Sequence, residues 1–163
     1  MKKYFIMLLC LLLLTGCQTR ENEENIDEQL YQQYQDYYIK LKDAKHFENQ
    51  IEDCSIYLIL NKTNNGNIRY DVIIDNPQIK MNHIQAIALV EGETKYNPPS
   101  IGLLENDSFS LEPGVIDKEN GIYKGINLSG MTSLKNITVK IYLTYEKQNK
   151  LVERFIILND NAS

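Results

Sequence analysis

One stretch near the end of the chain decides the fold class: Ile137-Thr138-Val139-Lys140-Ile141-Tyr142-Leu143-Thr144-Tyr145. Its odd positions are apolar or aromatic, whereas the positions between them are mostly polar. This period of two is typical of a β-strand that buries one face. A turn predicted at Lys147–Lys150 is followed by a second apolar segment, Leu151–Leu158. We therefore predict an antiparallel hairpin at this end of the chain.

The same period occurs earlier, first at Cys54–Leu60 and then at Arg69–Ile74. The sequence Asn64-Asn65-Gly66 between them has strong turn chemistry, so these two segments also predict a hairpin. Ile84–Val90 is apolar at odd and even positions, which fits a central strand or a short helix, because periodicity alone does not separate the two. Shorter strands are predicted at Ile101–Leu104, at Phe109–Leu111 and at Gly121–Leu128, the last ended by Ser129-Gly130. A total of about seven short strands separated by turns predicts an antiparallel β-sandwich over residues 51–158.

A helix is predicted before the strands, over residues 26–48. Acidic residues are concentrated at its start and lysines near its end, an arrangement that suits the helix dipole. Its apolar residues are spaced three or four apart and so lie on one face: Leu30, Tyr34, Tyr37, Leu41 and Ala44, flanked by Tyr31 and Tyr38. This amphipathic face has three possible partners: the following β domain, a partner protein or second copy, or the membrane surface. The acidic opposite face argues against the membrane, since helices that lie on a membrane prefer Lys and Arg there.

The first 17 residues have the layout of an export signal. Met1-Lys2-Lys3 is followed by an apolar run of 11 residues, Tyr4–Leu14, whereas a helix that spans a membrane needs about 20. A basic start, a short apolar run and small residues before a cysteine are typical of a secretory signal peptide. The sequence Leu14-Thr15-Gly16-Cys17 then resembles the lipobox of bacterial lipoproteins.

The lipobox resemblance implies a defined course of processing. In that family a diacylglyceryl group is attached to the cysteine sulfur, and a signal peptidase then cleaves before the cysteine. Carried over, the resemblance makes Cys17 the lipidation site and the Gly16–Cys17 bond the cleavage site, with residues 1–16 removed as the signal peptide. It also implies a protein that is anchored in the cell membrane and faces the extracytoplasmic side. Residues 17–25 are then predicted as a short lipidated tether, and residues 159–163 as a flexible tail.

The composition excludes some classes of function. The formal net charge is −5 at pH 7, so the chain lacks the basic footprint of a protein that binds nucleic acid. Of three cysteines, Cys10 leaves with the signal and Cys17 carries lipid, which leaves Cys54 alone and makes an internal disulfide impossible. Because Cys54 lies in an apolar alternation, we interpret it as a buried, inert thiol.

No motif for catalysis or cofactor binding is present in the sequence. The two histidines, His46 and His83, show no His-x-x-x-His spacing, and there is no Cys-x-x-Cys, so a zinc site is not predicted. There is no Gly-x-Ser-x-Gly elbow and no glycine-rich phosphate loop. The carboxylate pairs Glu91/Glu93 and Glu105/Asp107 lack the regular spacing of a calcium loop. We therefore predict no catalytic residue, no metal ligand, no cofactor and no enzyme activity.

Residues 51–158 also resemble, in pattern only, the immunoglobulin-like modules that are common on exported bacterial proteins. The resemblance depends on the last hairpin and on Tyr70–Ile74 with Asn76-Pro77. The chain lacks the paired cysteines and the core tryptophan of antibody domains. The resemblance implies a sandwich that presents loops to a partner protein or peptide.

Tyrosine is enriched, with 11 copies, and it is favoured at interfaces because its ring offers contact area with a polar end. We therefore predict a protein or peptide partner that contacts the loops Gly92–Ser100 and Pro113–Asn120 or the helix tyrosines, which are Tyr31, Tyr34, Tyr37 and Tyr38. The alternative is that these rings cap the sandwich. Two other functions stay open. One is an immunity-type lipoprotein whose acidic charge helps it capture a cationic antimicrobial peptide, and the other is an extracellular hydrolase or a carbohydrate-binding enzyme accessory.

Overall fold

The computed structural model describes residues 18–105 and 107–161. Over these residues the protein is mainly β, with one α-helix before the strands. The helix α1 covers Gln18–Asp43. The strands are β1 (Ser55–Lys62), β2 (Ile68–Asp75), β3 (Asn82–Val90), β4 (Ser100–Ile101), β5 (Ser110–Leu111), β6 (Ile122–Tyr123), β7 (Gly125–Thr132), β8 (Asn136–Lys147) and β9 (Lys150–Asn161). The predicted fold class is thus confirmed, with nine strands in the described ranges where about seven were predicted.

Seven of the strands form two antiparallel sheets. The first sheet has the order β1-β2-β7 and the second has the order β4-β3-β8-β9, while β5 and β6 form a short parallel pair. In the strand letters of immunoglobulin domains, these orders are A-B-E and C′-C-F-G. The predicted hairpins are β1–β2 and β8–β9, and the segment that fitted either a strand or a helix is strand β3. Between β8 and β9, Gln148 and Asn149 have φ of 53° and 59°, the left-handed pair that a two-residue type I′ turn requires.

The core between the two sheets is built from the alternating apolar residues that the sequence predicts. On β8 the inward side chains of Val139, Ile141 and Leu143 are completely buried, and on β2 so are those of Val72 and Ile74. Each side chain of this size that leaves water contributes about 1.5–3 kcal/mol to stability. The core therefore follows directly from the period of two in β2 and β8.

The helix α1 packs on the outer face of the second sheet and forms a third layer. Leu41 is completely buried there, in a small apolar cluster with Ile87 of β3 and Tyr142 of β8. The amphipathic face of α1 therefore packs on the following β domain, the first of the three partners considered for it.

The structure corrects both ends of the predicted helix. Residues 18–25, predicted as a tether, belong to α1, and neither glycine nor proline occurs between Gln18 and Asp43. Gln, Arg and Glu are strong helix formers, and acidic residues suit the positive N-terminal end of a helix. At the other end α1 stops at Asp43 and not at residue 48, because Glu48 leaves the helix and forms a backbone bridge with Ile156 of β9.

Two strands end later in the chain than predicted. Strand β7 runs through Ser129-Gly130, where the sequence predicts a break. The ring of Tyr70 on the neighbouring strand occupies the space beside that glycine, so the small residue keeps the strand continuous. Strand β9 reaches Asn161, where a flexible tail is predicted from residue 159, because Asn161 still pairs with Asn136 of β8.

The predicted signal peptide, residues 1–16, and the lipidation residue Cys17 lie outside the described residues. Within residues 18–105 and 107–161, no helix is both long and apolar enough to cross a membrane. Signal cleavage, lipid attachment and membrane location therefore stay predictions.

Gly130→Ala is expected to destabilise the fold by about 1–3 kcal/mol, the usual cost of overpacking a core site. The added methyl group overlaps the ring of Tyr70, which is only 3% exposed and so has little room to move. Urea unfolding followed by circular dichroism measures the loss as a lower midpoint at an unchanged m-value. The same substitution in a Tyr70→Leu background is the control, because removing the ring removes the overlap. An equal cost in both backgrounds contradicts this account of Gly130.

Candidate functional site

The four helix tyrosines predicted as partner contacts lie in different surroundings. Tyr37 faces the second sheet, where its hydroxyl donates to Gln85 Oε1 (2.8 Å) and lies 2.7 Å from Thr144 Oγ1. Its ring packs against Tyr142 with centroids 4.7 Å apart, and burial raises the pKa of its hydroxyl. Tyr37 therefore holds α1 on the sheet, although its half-buried side chain also lines a separate cavity of about 620 Å³.

The other three helix tyrosines have different surroundings, and of these only Tyr31 is exposed. Tyr34 donates a hydrogen bond to the carbonyl oxygen of Pro98 (3.0 Å), which joins α1 to the loop between β3 and β4. Burial raises the pKa of Tyr34, so its hydroxyl stays a neutral donor. Tyr31 is 59% exposed and stacks on Tyr34 with ring centroids 6.5 Å apart. Tyr38 is half-buried, one turn further along the helix from Tyr34.

A groove lies between α1 and the loop that follows β3, and we name it the tyrosine groove. Its volume is about 290 Å³, and its lining residues are Tyr34, Gln35, Tyr38, Leu89, Glu93, Thr94, Tyr96, Asn97 and Pro98. The structure thus brings two of the predicted tyrosines and the predicted loop Gly92–Ser100 into one concave surface. Aromatic side chains in a concave surface are frequent anchors of peptide and protein recognition.

The loop wall of the tyrosine groove is held in place by Glu93. Its carboxylate accepts hydrogen bonds from the backbone N–H of Lys95 (2.7 Å) and from the hydroxyl of Thr132 (2.7 Å). The bond from the Lys95 N–H is the main cause that lowers the pKa of Glu93. Tyr96 is oriented in turn by Asn67, whose amide donates to the tyrosine hydroxyl (2.9 Å). Contacts within the protein therefore already shape this wall.

Two lysines border the tyrosine groove. Lys95 Nζ lies 5.0 Å from the centroid of the Tyr96 ring, and Lys42 Nζ lies 5.9 Å from that of Tyr38. Neither lysine forms an ion pair with another described residue. The groove is therefore bordered by two lysines, whereas Glu93, the charged residue among those that line it, already accepts hydrogen bonds from three backbone N–H groups.

A cluster of polar and aromatic side chains fixes α1 behind the groove. Lys40 Nζ lies 2.9 Å from the Tyr142 hydroxyl and 2.5 Å from Glu153 Oε1, and the Tyr142 hydroxyl also donates to Glu153. The bond from Lys40 is the main cause that lowers the pKa of Glu153, while burial raises the pKa of Tyr142 to about 12. The ring of Tyr142 stacks on Phe155 at a centroid distance of 4.6 Å. No local pattern indicates this cluster, since Tyr142 lies among the polar positions of β8 and is buried by the docked helix.

The second loop predicted as a contact surface, Pro113–Asn120, is not part of the tyrosine groove. It lines a separate cavity of about 500 Å³ together with Asn76-Pro77 in the connection from β2 to β3. Val115 and Ile116 are exposed on this loop. The two predicted loops therefore belong to different surfaces of the protein.

Among possible catalytic groups, the structure brings His83 and Ser108 together. Ser108 Oγ lies 3.1 Å from His83 Nδ1, whereas Glu146 Oε2 lies 4.0 Å from His83 Nε2. The second distance is too long for a hydrogen bond, so Glu146 does not orient the ring as the acid of a catalytic triad does. His83 has a φ of 49° at an irregularity in the β3–β8 pairing. The sequence did not reveal this pair, because the long connection after β4 carries Ser108 back to β3.

The carboxylate pairs noted in the sequence make contacts within the protein. Glu91 forms an ion pair with Lys140 (2.7 Å), and Glu105 accepts a hydrogen bond from the backbone N–H of Gly102 (2.9 Å). In the part of the chain that the structure describes, no three His, Cys, Asp or Glu side chains lie close enough together to hold a metal ion. Cys54 is buried, and burial raises the pKa of its thiol to about 12. The nucleophilic thiolate is therefore scarce at neutral pH.

No family model, curated protein or solved structure matches this chain. The interpretation of the tyrosine groove therefore depends on its own geometry, which is concave, aromatic and bordered by positive charge.

Tyr37→Phe is expected to destabilise the protein by about 1–3 kcal/mol, because it leaves the Thr144 hydroxyl without its partner. Thr144 is only 1% exposed, so water does not replace the lost contact. Denaturant unfolding of the two proteins gives the difference. Tyr31→Phe is the matched control, the same change on the same helix at an exposed ring, and it is expected to stay within about 0.5 kcal/mol of the wild type. Equal effects of the two substitutions would show that Tyr37 does not fasten α1.

Proposed function

We propose that this protein is a non-catalytic binding module that recognises a protein or peptide through the tyrosine groove. The observation that carries the proposal is the groove itself, in which helix tyrosines and the loop Gly92–Ser100 converge. Tyr34, Tyr38 and Tyr96 offer ring surface together with polar hydroxyls, a combination that dominates the binding energy of many interfaces. Because contacts within the protein already hold the groove wall, little conformational entropy is lost when a partner binds.

We further propose that the module works on the extracytoplasmic side of the cell membrane, anchored by a diacylglyceryl group on Cys17. The support is the lipobox sequence Leu14-Thr15-Gly16-Cys17. Helix α1 begins at Gln18, directly after the proposed anchor. At a rise of about 1.5 Å per residue, Tyr34 would lie roughly 24 Å along the helix from that anchor. With α1 along the membrane normal, the groove would stand away from the lipid headgroups and face a partner in the surrounding medium.

The charge around the groove favours one kind of partner. Lys42 and Lys95 fit a segment that carries carboxylates next to aromatic or apolar side chains. The alternative function, capture of a cationic antimicrobial peptide, draws support from the net charge of −5. At this groove, however, such a peptide would approach Lys42 and Lys95 at a cost in binding energy, while the carboxylate of Glu93 is already engaged by backbone N–H groups and the Thr132 hydroxyl. An acidic or neutral partner segment is therefore the preferred proposal.

The proposal predicts a partner that touches Tyr96. The photoreactive residue p-benzoylphenylalanine, introduced in place of Tyr96 in the full chain, should cross-link one discrete polypeptide when whole cells are irradiated. Reversal of the border charges by Lys42→Glu and Lys95→Glu should lower the yield of the cross-linked product several-fold. Complementary charges speed the association of the two partners and fix their relative position. Immunoblotting measures the yield, and mass spectrometry identifies the band.

The control places the same photoreactive residue at Leu151, which is 67% exposed at the β8–β9 turn. The same band from both positions, or no polypeptide from position 96, would contradict recognition at the groove. A yield that rises when the two lysines become glutamates would favour the cationic peptide instead.

The membrane anchor is tested on its own. The mature protein should begin at Cys17 and carry the added mass of a diacylglyceryl group, which intact-mass spectrometry of the membrane fraction detects. Cys17→Ser should leave the precursor uncleaved, because in lipoproteins the lipid is attached before cleavage. Cys54→Ser is the matched control and should be processed normally. An unmodified N-terminus, or normal cleavage of the Cys17→Ser form, would overturn the anchor.

A further inference from the structure

The first sheet leaves one side of the core open. Its edges are β1 and β7. On β7 the inward residues Ile126 and Leu128 are 4% and 1% exposed. On β1 the inward residues, Ile56, Leu58 and Leu60, are only half-buried although they pack against the same core. The core is therefore closed at β7 and open at β1.

The second sheet extends further than the first on this open side. Strand β1 contacts β9 across the sandwich, so the two are edges on the same side. Strand β9 carries an additional segment, since the Glu48 N–H donates to Phe155 O (2.8 Å) and Glu48 O accepts from the Ile157 N–H (2.9 Å). The second sheet thus continues where the first sheet stops at β1. We name the space beside the free edge of β1 the slot, and one further strand at the usual spacing of ~4.8 Å would fill it.

Strand β1 lacks the features by which edge strands avoid pairing. Natural edges are short, or carry charges, prolines or bulges. Strand β1 has eight residues, no proline, an unbroken register with β2, and one charged residue, Lys62, at its end. Tyr57 and Ile59 are exposed on its outer face. Among the described strands, β1 pairs with β2 alone.

We infer that an extended segment of a partner polypeptide adds to the first sheet as a fourth strand, antiparallel to β1. Its backbone would complete the hydrogen-bond ladder, and alternate apolar side chains would cover the open side of the core. The two ends of β1 differ in charge. Lys62 ends the strand, whereas Glu52 precedes it in a cavity where the other charges are paired as Asp53–Lys147 and Glu48–Arg154. An antiparallel segment therefore fits best with an acidic residue at its N-terminus, beside Lys62, and a basic residue at its C-terminus, beside Glu52. This surface belongs to the first sheet, whereas α1 and the tyrosine groove lie on the second, so the inference does not depend on the groove.

The probe is the end-blocked peptide Glu-Thr-Val-Thr-Val-Thr-Val-Lys, added to the full chain in detergent micelles. Hydrogen exchange followed by mass spectrometry should show slower exchange in Ser55–Lys62 and little change in β7. A peptide with N-methyl groups on alternate backbone nitrogens keeps the side chains but cannot form the ladder, and it should give no protection. A charge-swapped peptide, with Lys first and Glu last, should bind several-fold more weakly.

Leu58→Lys places an inward-pointing charge on β1, a device by which natural edge strands avoid pairing. This substitution should abolish the slower exchange that the peptide causes in Ser55–Lys62. Leu151→Lys on β9 is the control and should leave that slower exchange unchanged. The N-methyl comparison uses the wild-type chain and so does not depend on the folding of these variants. Absence of protection in β1 at peptide concentrations up to about 1 mM, the limit of weak binding, would overturn the inference. Equal protection by the N-methylated peptide would also overturn it. Protection that appears without peptide and grows with protein concentration would identify a second copy as the occupant, against a partner segment.

Discussion

The ring of Tyr142 joins the helix layer to the sandwich. It lies between Tyr37 of α1 and Phe155 of β9, at centroid distances of 4.7 and 4.6 Å, and its hydroxyl meets Lys40 and Glu153. Ring stacking and charge-assisted hydrogen bonds at one place fix the position and the rotation of α1. Because α1 forms one wall of the tyrosine groove, the shape of the groove depends on this contact.

The strands and the core were predictable because the alternation of side chains along a strand is a local property of the backbone. The same rule placed Tyr142 on the polar face of β8, since nothing near it in the sequence indicates that a helix far away covers it. The start of α1 differs from the prediction for another reason, because a short polar segment fits a tether by composition although Glu and Gln favour helix. The continuation of β7 through Gly130 depends on the ring of Tyr70, a residue far away in the sequence.

The sequence predicts several residues of the tyrosine groove, but it does not predict that they lie together. The helix tyrosines stood out by composition, and the loop Gly92–Ser100 stood out by its turn residues. Tyr38 and Tyr96 line one cavity because α1 lies across the sheet in a particular position. No local sequence pattern encodes that position. The same limit applies to Tyr37, which the sequence predicts as a contact residue and whose hydroxyl pairs with Gln85 and Thr144 in the structure.

Cys54 is the single cysteine in residues 18–161, and its thiol is buried and free. In antibody domains a disulfide joins the strands that correspond to β2 and β8, whereas here those strands are joined through apolar packing. Because Cys54 is free, the described sandwich contains no disulfide, so its folding requires neither an oxidase nor a disulfide isomerase, and added reductant is not expected to unfold it. The sandwich is expected to fold equally well in a reducing and in an oxidising compartment.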